Sequence, residues 1–275
     1  MQKTVLSGNE AFARAAYEAG VQVASAYPGT PSTEILENIT RYERIDSSWA
    51  PNEKVALEVG IGASMGGARA LVTMKHVGVN VAADPLFTFS YTGVRGGLVL
   101  VAADDPEMHS SQNEQDSRNY ARFAKVPMFD PADSQEALDF TRIAFDVSEQ
   151  FDTPIMMRST TRISHSKSVV TLGEPLRNLP ATGLTRDAKK FVMLPGNARI
   201  RHPFVEERLE RMAEWACDQP FNRIEEGQGE LGIITAGVAY QYAREVFPSA
   251  GILKLGLVHP LPKRLIREFA DRYAT

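Results

Sequence analysis

Glu53 opens a helical pattern, Asn52-Glu53-Lys54-Val55-Ala56-Leu57 and onward to Gly67, whose later turns are almost all small or aliphatic. Gly60, Ala63, Ser64 and Gly67 fall at i, i+3, i+4 and i+7, one face of a 3.6-residue period. The stretch carries four glycines within eight positions. Each costs a helix about 1 kcal/mol relative to alanine. A helix that tolerates this cost needs another backbone or a flat ligand pressed against it. An acid at the end of such a close-packed helix can keep a proton for use in general acid–base chemistry.

Three further segments follow apolar runs of strand length. Tyr27-Pro28-Gly29-Thr30-Pro31-Ser32-Thr33 lies between a strand and a helix, where Gly29 admits close backbone approach. Thr30 and the helix start offer donors to a carboxylate there. A rigid proline turn with a serine cap is the plainer alternative. Thr73-Met74-Lys75-His76-Val77-Gly78-Val79-Asn80 places His76 on a strand-end loop beside Gly78 and Asn80. His76 could equally be structural, and Lys75 an ordinary surface or ion-paired residue. The long polar run from Asp104 to Arg118 reads as a substrate-facing loop with His109, Ser110, Ser111 and Arg118 as donors. Its acids lack the spacing of a metal site, so no metal ligand is assigned.

These segments require a scaffold. Helix 9–19, capped by Asn9 and stopped by Gly20, precedes strand 21–27; Ser32 caps a helix through Ile39. Strands at 71–75, 97–102 and 153–158 alternate with helices, including an amphipathic one over 134–150. The alternation predicts an α/β fold: a three-layer αβα, doubly wound and mostly parallel sheet. Residues 1–170 form this domain. Residues 171–228, with Pro175, Pro180, Pro195, Pro203 and Pro220, read as a linker with one helix over 203–218. Residues 229–275 begin a second α/β unit: strand 231–236, helix 238–246, strand 252–255 and helix 262–274. Two β-α units cannot make a stable sheet alone, so the expectation is a domain cut short.

Composition narrows the function. A net charge of −4 without a basic run excludes nucleic acid and anionic membrane as expected partners. The single Cys217 excludes an intrachain disulfide and any cysteine-ligated zinc or iron–sulfur site built by this chain alone. Without a signal-peptide core or a long apolar run, a cytoplasmic location is expected. No dinucleotide or P-loop fingerprint follows a strand, and no Gly-x-Ser-x-Gly elbow occurs.

Taken in order, Gly8-Asn9-Glu10-Ala11, Tyr27 to Thr33, Asn52 to Ala56, Thr73 to Leu86 and Asp105 to Arg118 resemble the thiamine-diphosphate-dependent 2-oxoacid:ferredoxin oxidoreductases. The resemblance is to the N-terminal part of the indolepyruvate:ferredoxin oxidoreductase alpha subunit. It runs to about Ser166 and returns from Leu231 to Ala270. It implies a thiamine diphosphate pyrimidine-binding domain up to about residue 170, followed by the start of a transketolase-C-like domain. In such enzymes a glutamate meets the pyrimidine N1′ and promotes loss of the thiazolium C2 proton. The 2-oxoacid is then decarboxylated, oxidised and released as an acyl-CoA.

Glu53 matches that glutamate, and Thr30 matches a threonine that meets the substrate carboxylate. His76 joins them as the third catalytic candidate. Pro28, Gly29, Gly78 and Asn80 would border the cofactor, and His109, Ser110 and Arg118 the substrate. The implied partners are a beta subunit, ferredoxin, a 2-oxoacid such as indolepyruvate and coenzyme A, within an oligomer. The Gly-Asp-Gly motif for diphosphate and Mg2+, and the cysteine-rich tail for [4Fe-4S] clusters, are absent from these residues. This chain is therefore expected to hold half a cofactor site and to be inactive alone. The alternatives are another 2-oxoacid, such as pyruvate, or a non-catalytic scaffold pairing through its glycine-rich helix.

Overall fold

The computed structural model describes residues 2–176 and 181–273. Pro180 and the end of the expected last helix at Ala274 lie outside these residues.

In chain order the first part comprises β1 (Lys3–Ser7), α1 (Gly8–Glu18), β2 (Val23–Ala26), α2 (Thr33–Ile39), β3 (Asp46–Trp49) and α3 (Glu53–Met65). It continues with β4 (Ala70–Lys75), α4 (His76–Val81), α5 (Ala83–Thr92), β5 (Leu98–Asp104), α6 (Ser117–Ala124) and β6 (Met128–Phe129). Next come α7 (Ser134–Phe151), β7 (Ile155–Thr160), α8 (Thr161–His165) and β8 (Lys167–Thr171). The remainder holds α9 (Ala188–Phe191), α10 (Pro195–Ala216), β9 (Arg223–Glu225), β10 (Gly232–Ala236), α11 (Gly237–Val246), β11 (Gly251–Leu255), β12 (Leu257–His259) and α12 (Lys263–Ala270).

Seven strands form the main sheet in the order β12-β6-β7-β5-β4-β2-β3, and all neighbours are parallel except β12 with β6. Strand side chains alternate faces, so one sheet feeds two cores. Leu71, Val99, Val101 and Met157 pack with α1, α2 and α7, whereas Val72, Leu98, Leu100 and Met156 pack with α3, α5 and α6. The fold is the expected three-layer αβα arrangement. Every residue of β4 and β5 is buried, which explains why they read as continuous apolar runs. The carboxyl ends of β2, β4, β5 and β7 share one edge through the pairs Ala26–Thr73, Lys75–Ala103 and Asp104–Thr160.

Several local expectations change. Helix α1 is capped by Ser7 rather than Asn9. Ser7 accepts from Glu10 N while Glu10 accepts from Ser7 N, a capping box. Asn9 instead lies buried, and its amide donates to the Pro31 carbonyl at 2.8 Å. Ser32 caps nothing; its hydroxyl donates to Gly29 O. The helix in 195–216 is longer than expected and runs through Pro203. Gly66 and Gly67 end α3 rather than lying within it, Gly67 with φ of +83°. Gly60 does mark a close approach, since a Cβ there would sit 2.5 Å from Val72 Cγ2.

Two small sheets complete the chain: β1 with β8, and β10-β11-β9. Strand β12 leaves the latter unit to pair with β6. Glu136 of α7 ties the two together, accepting from Arg223 at 3.0 Å and from the buried Lys254. Among the described residues no helix is long and apolar enough to cross a membrane.

Candidate active site

Asn52 caps α3 by accepting from Val55 N at 3.0 Å, which fixes Glu53 as the first helical residue. Glu53 is 9% exposed, and among the described residues nothing hydrogen-bonds its carboxylate. Its side chain lies against α4: a Cβ added to Gly78 would stand 2.5 Å from Glu53 Cγ and 2.6 Å from Oε1. Only glycine leaves that side chain its present place. A carboxyl group so little exposed and without a protein partner is placed to meet a ligand with a complementary polar atom.

His76 is not on a loop, because β4 runs directly into α4 and His76 is the first residue of that helix. It is buried, and its Nε2 lies 3.3 Å from the Asn113 carbonyl. Facing a carbonyl, Nε2 must carry a proton. The other ring nitrogen, Nδ1, is buried and has no partner among the described residues. Next to it, Lys75 is 7% exposed and donates from Nζ to the Ser110 carbonyl at 2.5 Å. Lys75 is thus not a surface residue, and among the described residues no carboxylate pairs with it. The turn at 28–31 packs on this lysine: a Cβ at Gly29 would lie 3.0 Å from Lys75 Cβ. Pro28 and Thr30 are exposed, with Thr30–Pro31 a cis peptide, and Thr33 Oγ1 accepts from Gly29 N.

The polar run after β5 is organised by Asp105. Its carboxylate accepts from Ser110 N at 2.8 Å, His109 N at 3.2 Å, Ser111 Oγ at 2.5 Å and Thr161 Oγ1 at 2.7 Å. Burial alone would raise this carboxyl, but the four hydrogen bonds outweigh it and hold it down to about 2. Glu107 and Met108 take consecutive left-handed conformations, with φ of 66° and 55°. That strain persists because the loop is fastened on both sides.

The structure therefore sets Lys75 against Gly29 and the Ser110 carbonyl, and three residues further along the chain it sets Gly78 of α4 against Glu53. Other expected site residues stand apart from these. Asn80 is exposed and accepts from Tyr120, and Arg118 is exposed and held by Asp116 two residues back. The His109 ring is 59% exposed, its nearest ionic neighbour Glu107 at 3.9 Å. Asp104, at the end of β5, belongs to a separate buried cluster with Arg158 and Asp130. Among the described residues no group of His, Cys, Asp and Glu is arranged to hold a metal ion.

Comparison with known proteins adds an independent line. The family model described as pyruvate flavodoxin/ferredoxin oxidoreductase, thiamine diphosphate-binding, matches residues 14–206. The chain is 47% identical to the indolepyruvate oxidoreductase subunit IorA of Archaeoglobus fulgidus, over 98% of this chain and 45% of that protein. It is 44% identical to the subunit of the same name from Methanothermobacter thermautotrophicus, over 97% of this chain and 45% of the relative. The chain thus spans less than half the length of these relatives. In fold it is similar to a 2-oxoglutarate:ferredoxin oxidoreductase from Magnetococcus marinus, with a TM-score of 0.79 and 15% identity, covering 99% of this chain and 57% of that one.

Proposed function

Because the chain belongs to the pyruvate flavodoxin/ferredoxin oxidoreductase family, in its thiamine diphosphate-binding part, we propose that it supplies the aminopyrimidine half of a thiamine diphosphate site in an enzyme oxidising indolepyruvate. Its curated relatives carry that substrate in their names. The observation that carries the proposal is Glu53: a largely buried residue, set at a capped helix start, facing a glycine and lacking a hydrogen-bond partner among the described residues. That geometry suits a ring nitrogen which must be met by an acid. A scaffold would need no such acid, because hydrophobic packing of α3 alone would hold a partner more cheaply.

When bound, thiamine diphosphate supplies the carbon at which a 2-oxoacid is decarboxylated. The residues of this chain would act around it. Glu53 would hold and return a proton at its carboxyl oxygen, and Gly78 keeps that oxygen in place. Thr30, exposed at the turn, would donate its hydroxyl to the substrate carboxylate. Pro28 and Gly29 would border the cofactor, with Asn80 at the rim. His76 would fix the loop bearing His109 and Ser110, which would close over the substrate, with Arg118 farther out. Residues 1–170 would form the pyrimidine-binding domain and 229–275 part of a second α/β domain.

Transfer of electrons to ferredoxin, release of the acyl group to coenzyme A, and Mg2+ and [4Fe-4S] clusters would belong to the assembly with a beta subunit. The test uses the complete subunit with its partner. Glu53→Gln should abolish C2 proton exchange of bound thiamine diphosphate while the cofactor still binds; unchanged exchange would remove Glu53 from the chemistry. Oxidation of indolepyruvate should exceed that of pyruvate. Turnover by the 275-residue chain alone would refute the half-site reading.

A further inference from the structure

We infer that Lys75 is the cationic binding residue for the substrate carboxylate, set between the two loops that the sequence reading assigned to substrate. The inference rests on the 2-oxoacid reading above and concerns a residue which that reading leaves without a role.

A lysine ammonium has three donors and no acceptor. Here one donor meets the Ser110 carbonyl, and no carboxylate among the described residues neutralises the charge, although the residue is 7% exposed. Taking an ammonium out of water costs several kcal/mol unless an anion answers it. A neutral methionine would fill the same space without that cost. The site therefore keeps the charge for an anion that arrives from outside.

The placement says which anion. Lys75 ends β4, on the sheet edge where α/β folds receive ligands, and the next residues of α4 lead through His76 to Gly78, which lies against Glu53. Its stem passes beside Gly29, the neighbour of Thr30, with Cβ and Cδ 3.0 and 3.7 Å from where a Gly29 Cβ would stand. A side chain at position 29 would push the stem aside. Lys75 thus spans from the Thr30 turn, whose hydroxyl is a neutral donor, to the Ser110 loop, whose carbonyl fixes the ammonium. Thr30 alone offers one neutral hydroxyl; the lysine adds a charge-assisted hydrogen bond, about twice as strong as a neutral one. A diphosphate is the other anion within reach of such chemistry, and the experiment separates the two.

The complete enzyme with its partner subunit is compared with its Lys75→Met and Lys75→Arg variants, each verified as folded by its thermal transition. For Lys75→Met, KM for indolepyruvate should rise at least tenfold with a smaller change in kcat, and Lys75→Arg should recover part of the loss. The affinity for thiamine diphosphate should stay within a factor of two. Equilibrium binding of the 2-oxoacid and of its neutral amide gives the readout that a structural role would not move. The acid should outbind the amide by tenfold or more in the unmodified enzyme, and the gap should close in Lys75→Met. An unchanged gap, or a loss confined to thiamine diphosphate affinity, would overturn the assignment. Because binding is measured apart from turnover, an enzyme that binds the acid through Lys75 but oxidises a different 2-oxoacid would correct only the substrate named above.

Discussion

At Gly78, helix stability and function pull in opposite directions. Glycine costs a helix about 1 kcal/mol against alanine, and α4 is only six residues long. Gly78→Ala should therefore leave thermal stability unchanged or slightly higher. Its new methyl would overlap the Glu53 side chain, which is flexible enough to swing away. Activity of the complete enzyme should fall at least tenfold while the melting temperature does not fall, as paired kinetics and calorimetry would show. A melting temperature lowered by several degrees would mean that Gly78 serves packing rather than Glu53. Glu53 and Gly78 both stood out in the sequence, but their mutual contact did not, since residues 25 apart on different helices share no local period.

At the scale of the element, the loop from Asp105 to Ser111 holds Lys75 through the Ser110 carbonyl. Its shape depends on one carboxylate that accepts four hydrogen bonds. Asp105→Asn would turn an amide donor toward groups that are themselves donors, and hydrogen bonds to a charged group are each worth about 1.5–3 kcal/mol. Hydrogen exchange at the His109 and Ser110 amides should accelerate tenfold or more in that variant, with the β5 amides unchanged.

The same loop carries a pH signature. The Asp105 carboxyl is held at about 2, below its ordinary 3.8. A depressed acid contributes stability that is complete above the ordinary value and is lost as pH falls through the folded one. Protection of these amides should therefore decline between about pH 4 and pH 2, a window set by the two values just given. Asp105 was legible only as one acid within a polar run. Its partner Thr161 opens α8, 56 positions away.

For the whole molecule, the seam where β12 pairs with β6 is a place where acid should loosen the fold. Strand β12 joins the main sheet there, and His259 at its end is half-buried. Burial, with Arg122 and Lys125 nearby, pushes its imidazole down to about 4 from 6.5. A buried neutral histidine must take up a proton on unfolding, so its contribution to stability is present above 6.5 and is lost as pH falls toward 4. His259→Gln should flatten the stability curve between pH 6.5 and 4. Chemical denaturation across that range checks it; an unaltered slope would assign the acid sensitivity elsewhere. Nearby, Lys254 and Arg223 share Glu136, so the β10-β11-β9 sheet is held to α7 by charge.

By itself the sequence determined the alternation of β and α elements, the buried runs of β4 and β5, and the helix start that presents Glu53. Those features are local: a period of two, a period of 3.6, or an asparagine one residue ahead of an acid sets them. Tertiary structure alone decided that Lys75 is buried without a counter-ion among the described residues, that Asp105 rather than His109 builds the loop, and that β12 crosses to the main sheet. Each depends on which distant backbone supplies a donor, an acceptor or a missing Cβ. Burial of a charge is a property of the folded surroundings, which no stretch of chain encodes for itself.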